Sequence, residues 1–168
     1  DEGWRLETRA ETRVYENTEA APRAFVPTAV EPMADDDAVF AAITDGDDPF
    51  VARVTGDAGR WEAAEAPDLT ISEYEANSVL VTGEMLADSW VVLADVVYPG
   101  WRAFADGVEA PIVPADLVRR AVHLDEPARQ LRFVFLPESF RVGMFGTMLA
   151  LAALGALSGA VVVGRRRS

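Results

Sequence analysis

Four side chains with the makings of a sugar contact stand close together in "YPGWRAFADG": Tyr98, Trp101, Phe104 and Asp106. An aromatic ring can stack on the C–H face of a sugar, and a nearby carboxylate can accept from its hydroxyls; pockets of this kind combine apolar walls with a few placed polar groups. The competing role is structural. Pro99-Gly100 makes a turn that throws Trp101 onto the next strand, where its ring would cap a hydrophobic core. Strand alternation sets Trp101 and Phe104 on opposite faces, so one of the two rings is expected outside.

Other groups offer less. Asp45, Asp47 and Asp48 invite a calcium site. An EF-hand loop needs glycine at its sixth position and glutamate at its twelfth, and a loop starting at Asp45 has Phe50 and Gly56 there. Asp35, Asp36 and Asp37 are better explained as a helix start. His123 is the single histidine and cysteine is absent, so no multi-histidine or thiolate zinc site can be built. His123 could pair with an acid, but no Gly-x-Ser-x-Gly or comparable nucleophile accompanies it. No phosphate-cradling glycine loop occurs. Catalytic residues and metal ligands are therefore expected to be absent from this stretch of chain.

The elements that must position these groups are mostly strands. "TRVYEN" (Thr12 to Asn17) alternates weakly, and "RAFVPTAV" (Arg23 to Val30) is interrupted or confined to an edge by Pro27. "DDDAVFAAITDG" predicts a helix of about two turns, with Val39, Phe40 and Ile43 at helical spacing. A short strand is possible near Phe50 and Val54, followed by an acid-rich loop to Pro67. "LTISEYEA" has an ambiguous register, with Ile71 and Tyr74 on opposite parities. "SVLVTGEM" puts Val79, Val81 and Met85 on one face. "SWVVLADVVY" (Ser89 to Tyr98) is nearly continuous apolar chain, the pattern of a strand covered on both sides. Asp106-Gly107 is a hairpin turn. "APIVPA" reads as an edge piece between prolines, and "LVRRAVHL" and "RQLRFVFL" complete the set. Seven to nine short strands with such turns predict a mainly β fold, an antiparallel β-sandwich of jelly-roll type with one short helix.

The chain ends differently. From Val142 to Gly164 it has 23 residues without a charge, followed by Arg165, Arg166 and Arg167. As a helix this run reaches about 34 Å, enough for a hydrocarbon core of about 30 Å. Its apolar side chains point round the whole cylinder, whereas a helix lying on a small domain would carry a polar stripe. The remaining residues could hardly surround such a helix as a buried core. A transmembrane helix is expected, oriented by its basic triplet with Arg165 to Ser168 in the cytoplasm. Gly155 and Gly159 form a GxxxG spacing that would let a second helix approach closely. Glu138 and Arg141 stand at the membrane entrance, either as interfacial anchors or in contact with a lipid phosphate or acceptor.

Charge narrows the partners. The chain carries 28 acidic side chains against 15 basic ones, a net charge of −13, which argues against nucleic acid. The expected division is a β-rich extracytoplasmic domain over residues 1–139, a membrane helix over 140–164 and a cytoplasmic tail over 165–168.

Three segments carry a resemblance. "VYENTEAAPRAFV" (Val14 to Val26), "YPGWRAFADGVEAPI" (Tyr98 to Ile112) and "FVFLPESFRVG" (Phe133 to Gly143), in this order before a last apolar helix, resemble the C-terminal end of the YfhO-type bacterial membrane proteins. The likeness is weaker from Asp45 to Pro67. That family resembles multi-spanning GT-C glycosyltransferases that take sugar from a lipid-linked donor. The resemblance implies a non-catalytic accessory domain and terminal anchor in the bacterial cell membrane. It also implies upstream transmembrane helices of the same polypeptide as partners, with a lipid-linked sugar or envelope polymer as a further contact. No cofactor is expected in this part; a divalent metal would belong to a catalytic part preceding it. The rival expectation is a carbohydrate-binding or adhesive β domain on a single span. The full open reading frame separates the two, since about a dozen hydrophobic segments before Asp1 fit the transferase and a signal peptide fits the rival.

The basic triplet generates a direct test. Alkaline phosphatase fused after Ser168 should show no activity outside the cell; high external activity would reverse the orientation.

Overall fold

The computed structural model describes residues 4–9, 13–17, 20–45, 48–56, 58–137, 143–144, 146–148 and 151. The expected mainly β class is what it shows. Along the chain run β1 (Trp4–Arg9), β2 (Arg13–Asn17), β3 (Ala24–Phe25), β4 (Ala29–Met33), α1 (Asp36–Thr44), β5 (Val51–Thr55), β6 (Trp61–Glu62) and β7 (Thr70–Glu75). There follow β8 (Ser78–Met85), β9 (Ser89–Leu93), β10 (Trp101–Ala105), β11 (Val108–Ala110), β12 (Ile112–Ala115), β13 (Arg119–Leu124) and β14 (Ala128–Phe135). Fourteen strands among the described residues exceed the seven to nine expected, because pieces as short as β3 and β6 leave no alternation to detect.

These strands form a β1–β2 hairpin, a five-stranded sheet ordered β11-β10-β14-β8-β7, and a seven-stranded sheet ordered β3-β9-β13-β12-β5-β4-β6. The two larger sheets share a core. Val79, Val81, Ala103, Leu131 and Phe133 from one meet Val91, Leu93, Val122 and Leu124 from the other. The opposite face of the seven-stranded sheet has its own core, with Phe25, Val30, Ala52, Val54, Trp90, Val92 and Ala121. That sheet curls around it. Trp61 in its last strand, β6, donates its indole N–H to the Asp88 carbonyl beside β9, 2.7 Å away. Strand β9 is buried at all five positions, as a strand covered on both sides requires. It ends at Leu93, however, and residues from Ala94 to Gly100 form no strand.

The arrangement is not wholly antiparallel. Strands β4 and β5 pair in parallel, Ala29 opposite Val51 through Met33 opposite Thr55. A parallel neighbour requires a crossover, and α1 provides it. Asp35 caps α1 by accepting from the Ala38 amide at 2.9 Å, with Asp36 and Asp37 in the first turn. Only Val39 is buried; Phe40 and Ile43, expected on its inner face with Val39, are exposed. Pro27 falls between β3 and β4 and interrupts the expected strand. Strand β12 is not an edge, since it lies between β13 and β5. Its pairing with β5 is confined to Ala115 opposite Val54, so Pro114 breaks no long ladder there.

Two local devices set register. A β-bulge between Ile71 and Glu73 places Ile71 opposite Val81 and Tyr74 opposite Val79, which reconciles the two parities in "LTISEYEA". The β10–β11 turn has Asp106 at φ 45° and Gly107 at φ 89°, the positive pair of a type I′ hairpin.

Among the described residues no helix is long and apolar enough to cross a membrane. The run Val142–Gly164 falls largely outside them. Glu138, Arg141, Gly155, Gly159, Arg165, Arg166 and Arg167 lie outside them as well. Within the described part of this run, the Thr147 hydroxyl donates to the Gly143 carbonyl at 2.9 Å, the local bond by which a helix hides a hydroxyl.

Gly100, just before β10, is closely packed against the end of β14. It has φ 107°, and a Cβ there would stand 2.7 Å from the Phe135 ring. Gly100→Ala should destabilise the domain by about 2 kcal/mol or more. Thermal unfolding followed by near-ultraviolet circular dichroism measures this; an unchanged midpoint would show that the backbone relaxes freely.

Candidate functional site

The end of the domain from which the chain leaves β14 gathers several strand termini. Trp101, the first residue of β10, pairs with Phe135 at the end of β14. Arg120 near the start of β13 pairs with Leu93 at the end of β9. Between them runs the irregular segment Ala94–Gly100, tied down by hydrogen bonds from the Val97 amide to the Val118 carbonyl and from the Leu136 amide to the Gly100 carbonyl.

Two hollows open here, sharing Tyr98 and Trp101 as walls. The first, about 340 Å³, is bounded by these two rings and by Tyr74, Glu75, Asp95, Val96 and Arg120, with Ala76 and Val79 beside them. The second, about 350 Å³, is bounded by Val97, Pro99, Ile112 and Pro114 beside the same rings. Tyr98 meets Trp101 edge-on with centroids 6.1 Å apart, and both lean on Phe135, at 5.4 and 5.6 Å. Tyr98 is exposed, whereas Trp101 is half-buried against the shared core. The Trp101 ring thus packs on the shared core, as one of its two expected roles requires, and leaves part of its surface open to the hollows.

Arg120 is the unusual member. It occupies the same parity of β13 as the core residues Val122 and Leu124 and is only 3% exposed. Its guanidinium carbon stands 3.8 Å from the centre of the Trp101 ring. Its Nε and Nη2 both donate to the Val96 carbonyl, at 3.1 and 2.8 Å. Its Nη1 and the Trp101 Nε1 are buried without a hydrogen-bond partner. Burial pushes the Arg120 pKa down, opposed by the field of Asp95 and the two tyrosines. The Asp95 carboxylate is held elsewhere: it accepts from Arg23 at 3.0 Å and from the Tyr74 hydroxyl at 3.2 Å, and Arg23 also donates to Tyr74.

The other two expected sugar contacts are not part of this cleft. Phe104 lies on the opposite face of β10, under the Arg102 guanidinium at 5.7 Å. Arg102 is paired with Glu109, whose carboxyl is held below the usual range by that hydrogen bond. Asp106 sits at the other end of β10, and its carboxylate accepts from the Arg129 and Gln130 amides at 3.0 and 2.9 Å. It thereby satisfies backbone at the bulge where β14 shifts register against β8. A sugar at Trp101 cannot reach Asp106.

The remaining polar candidates have structural surroundings. His123 leans on Trp90 and approaches Asp88 through Nε2 at 3.0 Å and Asp125 through Nδ1 at 3.2 Å. Asp45 caps the end of α1, Asp48 accepts from the Phe50 amide, and Asp47 lies outside the described residues. Among the described residues no group of three or more His, Cys, Asp or Glu is placed to hold a metal ion.

Sequence reasoning missed Arg120, Tyr74 and Asp95. One signal was present, an arginine in step with Val122 and Leu124 in "LVRRAVHL". The approach of Tyr74 and Asp95 depends on the bulge in β7 and on the break after β9, and neither has a local mark. No protein-family model, no curated protein and no solved structure matches this chain.

Because Asp106 holds backbone rather than facing the cleft, Asp106→Ala should lower stability by about 1–3 kcal/mol. It should leave the near-ultraviolet signature of the Tyr98–Trp101 pair unchanged in the folded state. A changed folded-state spectrum with unchanged stability would reverse that assignment.

Proposed function

We propose that this chain is a non-catalytic extracytoplasmic domain that contacts a saccharide, joined to a membrane-spanning helix. Its closest functional setting is an envelope glycosyltransferase of the YfhO type using a lipid-linked sugar. The observation that carries the saccharide contact is the pair of hollows sharing Tyr98 and Trp101. Their rings offer apolar surface to sugar C–H groups, and Arg120, Asp95 and the Tyr74 hydroxyl supply polar groups alongside.

Two further features support a position at the membrane. The 23-residue uncharged run begins only a few residues after β14, leaving little linker. Exposed Val96, Tyr98, Val118 and Leu136 gather at the end where the chain leaves β14. A headgroup region accommodates side chains of this sort, tyrosine in particular. In this setting the cleft faces the bilayer surface, where a lipid-linked sugar would be presented.

The single-span carbohydrate-binding domain uses the same cleft and differs in what precedes it on the polypeptide. Both forms share one test. The full chain, purified in detergent, is titrated with a panel of neutral and acidic mono- and disaccharides, followed by tryptophan fluorescence. At least one should bind, and Tyr98→Ala, which removes an exposed ring, should weaken it about tenfold. A folded wild-type chain that binds none of them would overturn the saccharide contact.

A further inference from the structure

Arg120 presents an imbalance that the protein itself does not resolve. A guanidinium taken out of water is stabilised in folded proteins by a carboxylate partner or by a full set of acceptors. Here it has neither. One carbonyl, that of Val96, receives two of its N–H groups, and Nη1 has no acceptor; of the two carboxylates lining the same hollow, Asp95 is engaged by Arg23 and Tyr74, and Glu75 is exposed and does not satisfy Nη1. Stacking on Trp101 supports the cation through the ring face but supplies no counter-charge. A second buried donor, Trp101 Nε1, also lacks an acceptor. Both residues line the same hollow of about 340 Å³. The unmet requirement is local: acceptor oxygen for Arg120 Nη1 and Trp101 Nε1, one of them on a cation that no carboxylate contacts directly.

We propose that the cleft takes an acidic saccharide, a sugar unit bearing a carboxylate or phosphate group, with that group directed to Arg120 and the ring against Tyr98 and Trp101. This rests on the saccharide contact proposed above and specifies its charge. It runs against the chain's net charge of −13. The conflict is one of range: surface charges are screened beyond about 8 Å at physiological salt, whereas a desolvated guanidinium acts at contact distance. Overall acidity therefore slows the approach of a polyanion, and the cleft selects a single acidic unit once it is seated.

The experiment compares glucuronate with glucose, each titrated calorimetrically into the full chain in detergent, with inorganic phosphate as a competitor. Glucuronate should bind at least tenfold more tightly than glucose, and phosphate should displace it. Arg120→Gln should abolish the preference, bringing the affinity for glucuronate down to that for glucose in the same variant. Should Arg120→Gln fail to fold, Trp101→Phe keeps a ring and removes the N–H. It should narrow the preference, and in the wild type the Trp101 indole N–H resonance should move with glucuronate more than with glucose. Equal affinity for the two sugars would sink the charge requirement and leave the saccharide contact standing; binding of neither would sink both. The titration is repeated in nanodiscs of neutral phosphatidylcholine and of anionic phosphatidylglycerol. Glucuronate binding that persists in both supports a saccharide site, whereas loss only in phosphatidylglycerol would assign the cleft to a lipid headgroup and overturn the proposal.

Discussion

Strand β9 touches two cores at once, and the architecture is organised around that constraint. Its odd positions, Val91 and Leu93, face the five-stranded sheet; its even positions, Trp90 and Val92, face the inside of the curl made by its own sheet. A strand in this position can offer water neither face, so Trp90 to Leu93 are apolar, Ser89 returns its hydroxyl to the Leu86 carbonyl, and both edges call for pairing. Strands β3 and β13 supply that pairing. Burying roughly 100 Å² of apolar surface is worth about 2.5 kcal/mol, so coverage on both faces contributes strongly to holding β9 in place. Its abrupt end at Leu93 then opens the gap into which Asp95, Val96 and Tyr98 project.

The same seam explains why a cation is buried beside it. Arg120 occupies the β13 position opposite Leu93, where the core gives way to the cleft. Its counterpart two strands along the seven-stranded sheet, in β5, is Arg53, buried against Asp116 at 3.3 Å, with Asp116 also accepting from the Arg53 amide. That pair fixes the β12–β13 turn, in which Asp116 and Leu117 adopt positive φ. Two buried arginines in one sheet thus have different surroundings. One is met by a carboxylate of the fold, and the other by a carbonyl and an indole ring.

What could be read from the sequence follows from how local each signal is. Continuous burial of β9, the Asp106-Gly107 hairpin, the capping of α1 by Asp35 and the alternation of Leu131, Phe133 and Phe135 all depend on neighbours a few residues away. The β4–β5 pairing does not, because its crossover helix is short and turns Phe40 and Ile43 to solvent, which disguises the packed face. Strand β6 went unseen since its two residues carry no period; Trp61 matters through a bond to a carbonyl 27 residues on. The candidate site divides along the same line. Tyr98 and Trp101 were adjacent in sequence and stayed together, whereas Phe104 and Asp106 were separated from them by the pleat and the length of a single strand. Arg120 was identifiable only as a charge in step with the core-facing residues Val122 and Leu124 of its own strand.

Strand β14 is the last described strand in sequence but the middle strand of its sheet, flanked by β10 and β8. During synthesis the hairpins β7–β8 and β10–β11 can form as soon as they emerge, yet nothing joins them until residues 128–135 arrive. The inter-sheet core closes at that moment, when Leu131 and Phe133 enter it. The strand that closes the domain is also the one that continues toward the apolar run. A pull transmitted through that run would act along β14 and load its hydrogen bonds to both neighbours in shear, all together, instead of peeling an edge strand away one bond at a time. The chain that leads into the apolar run thus leaves from the central strand of the five-stranded sheet, bonded on both sides, instead of from an edge.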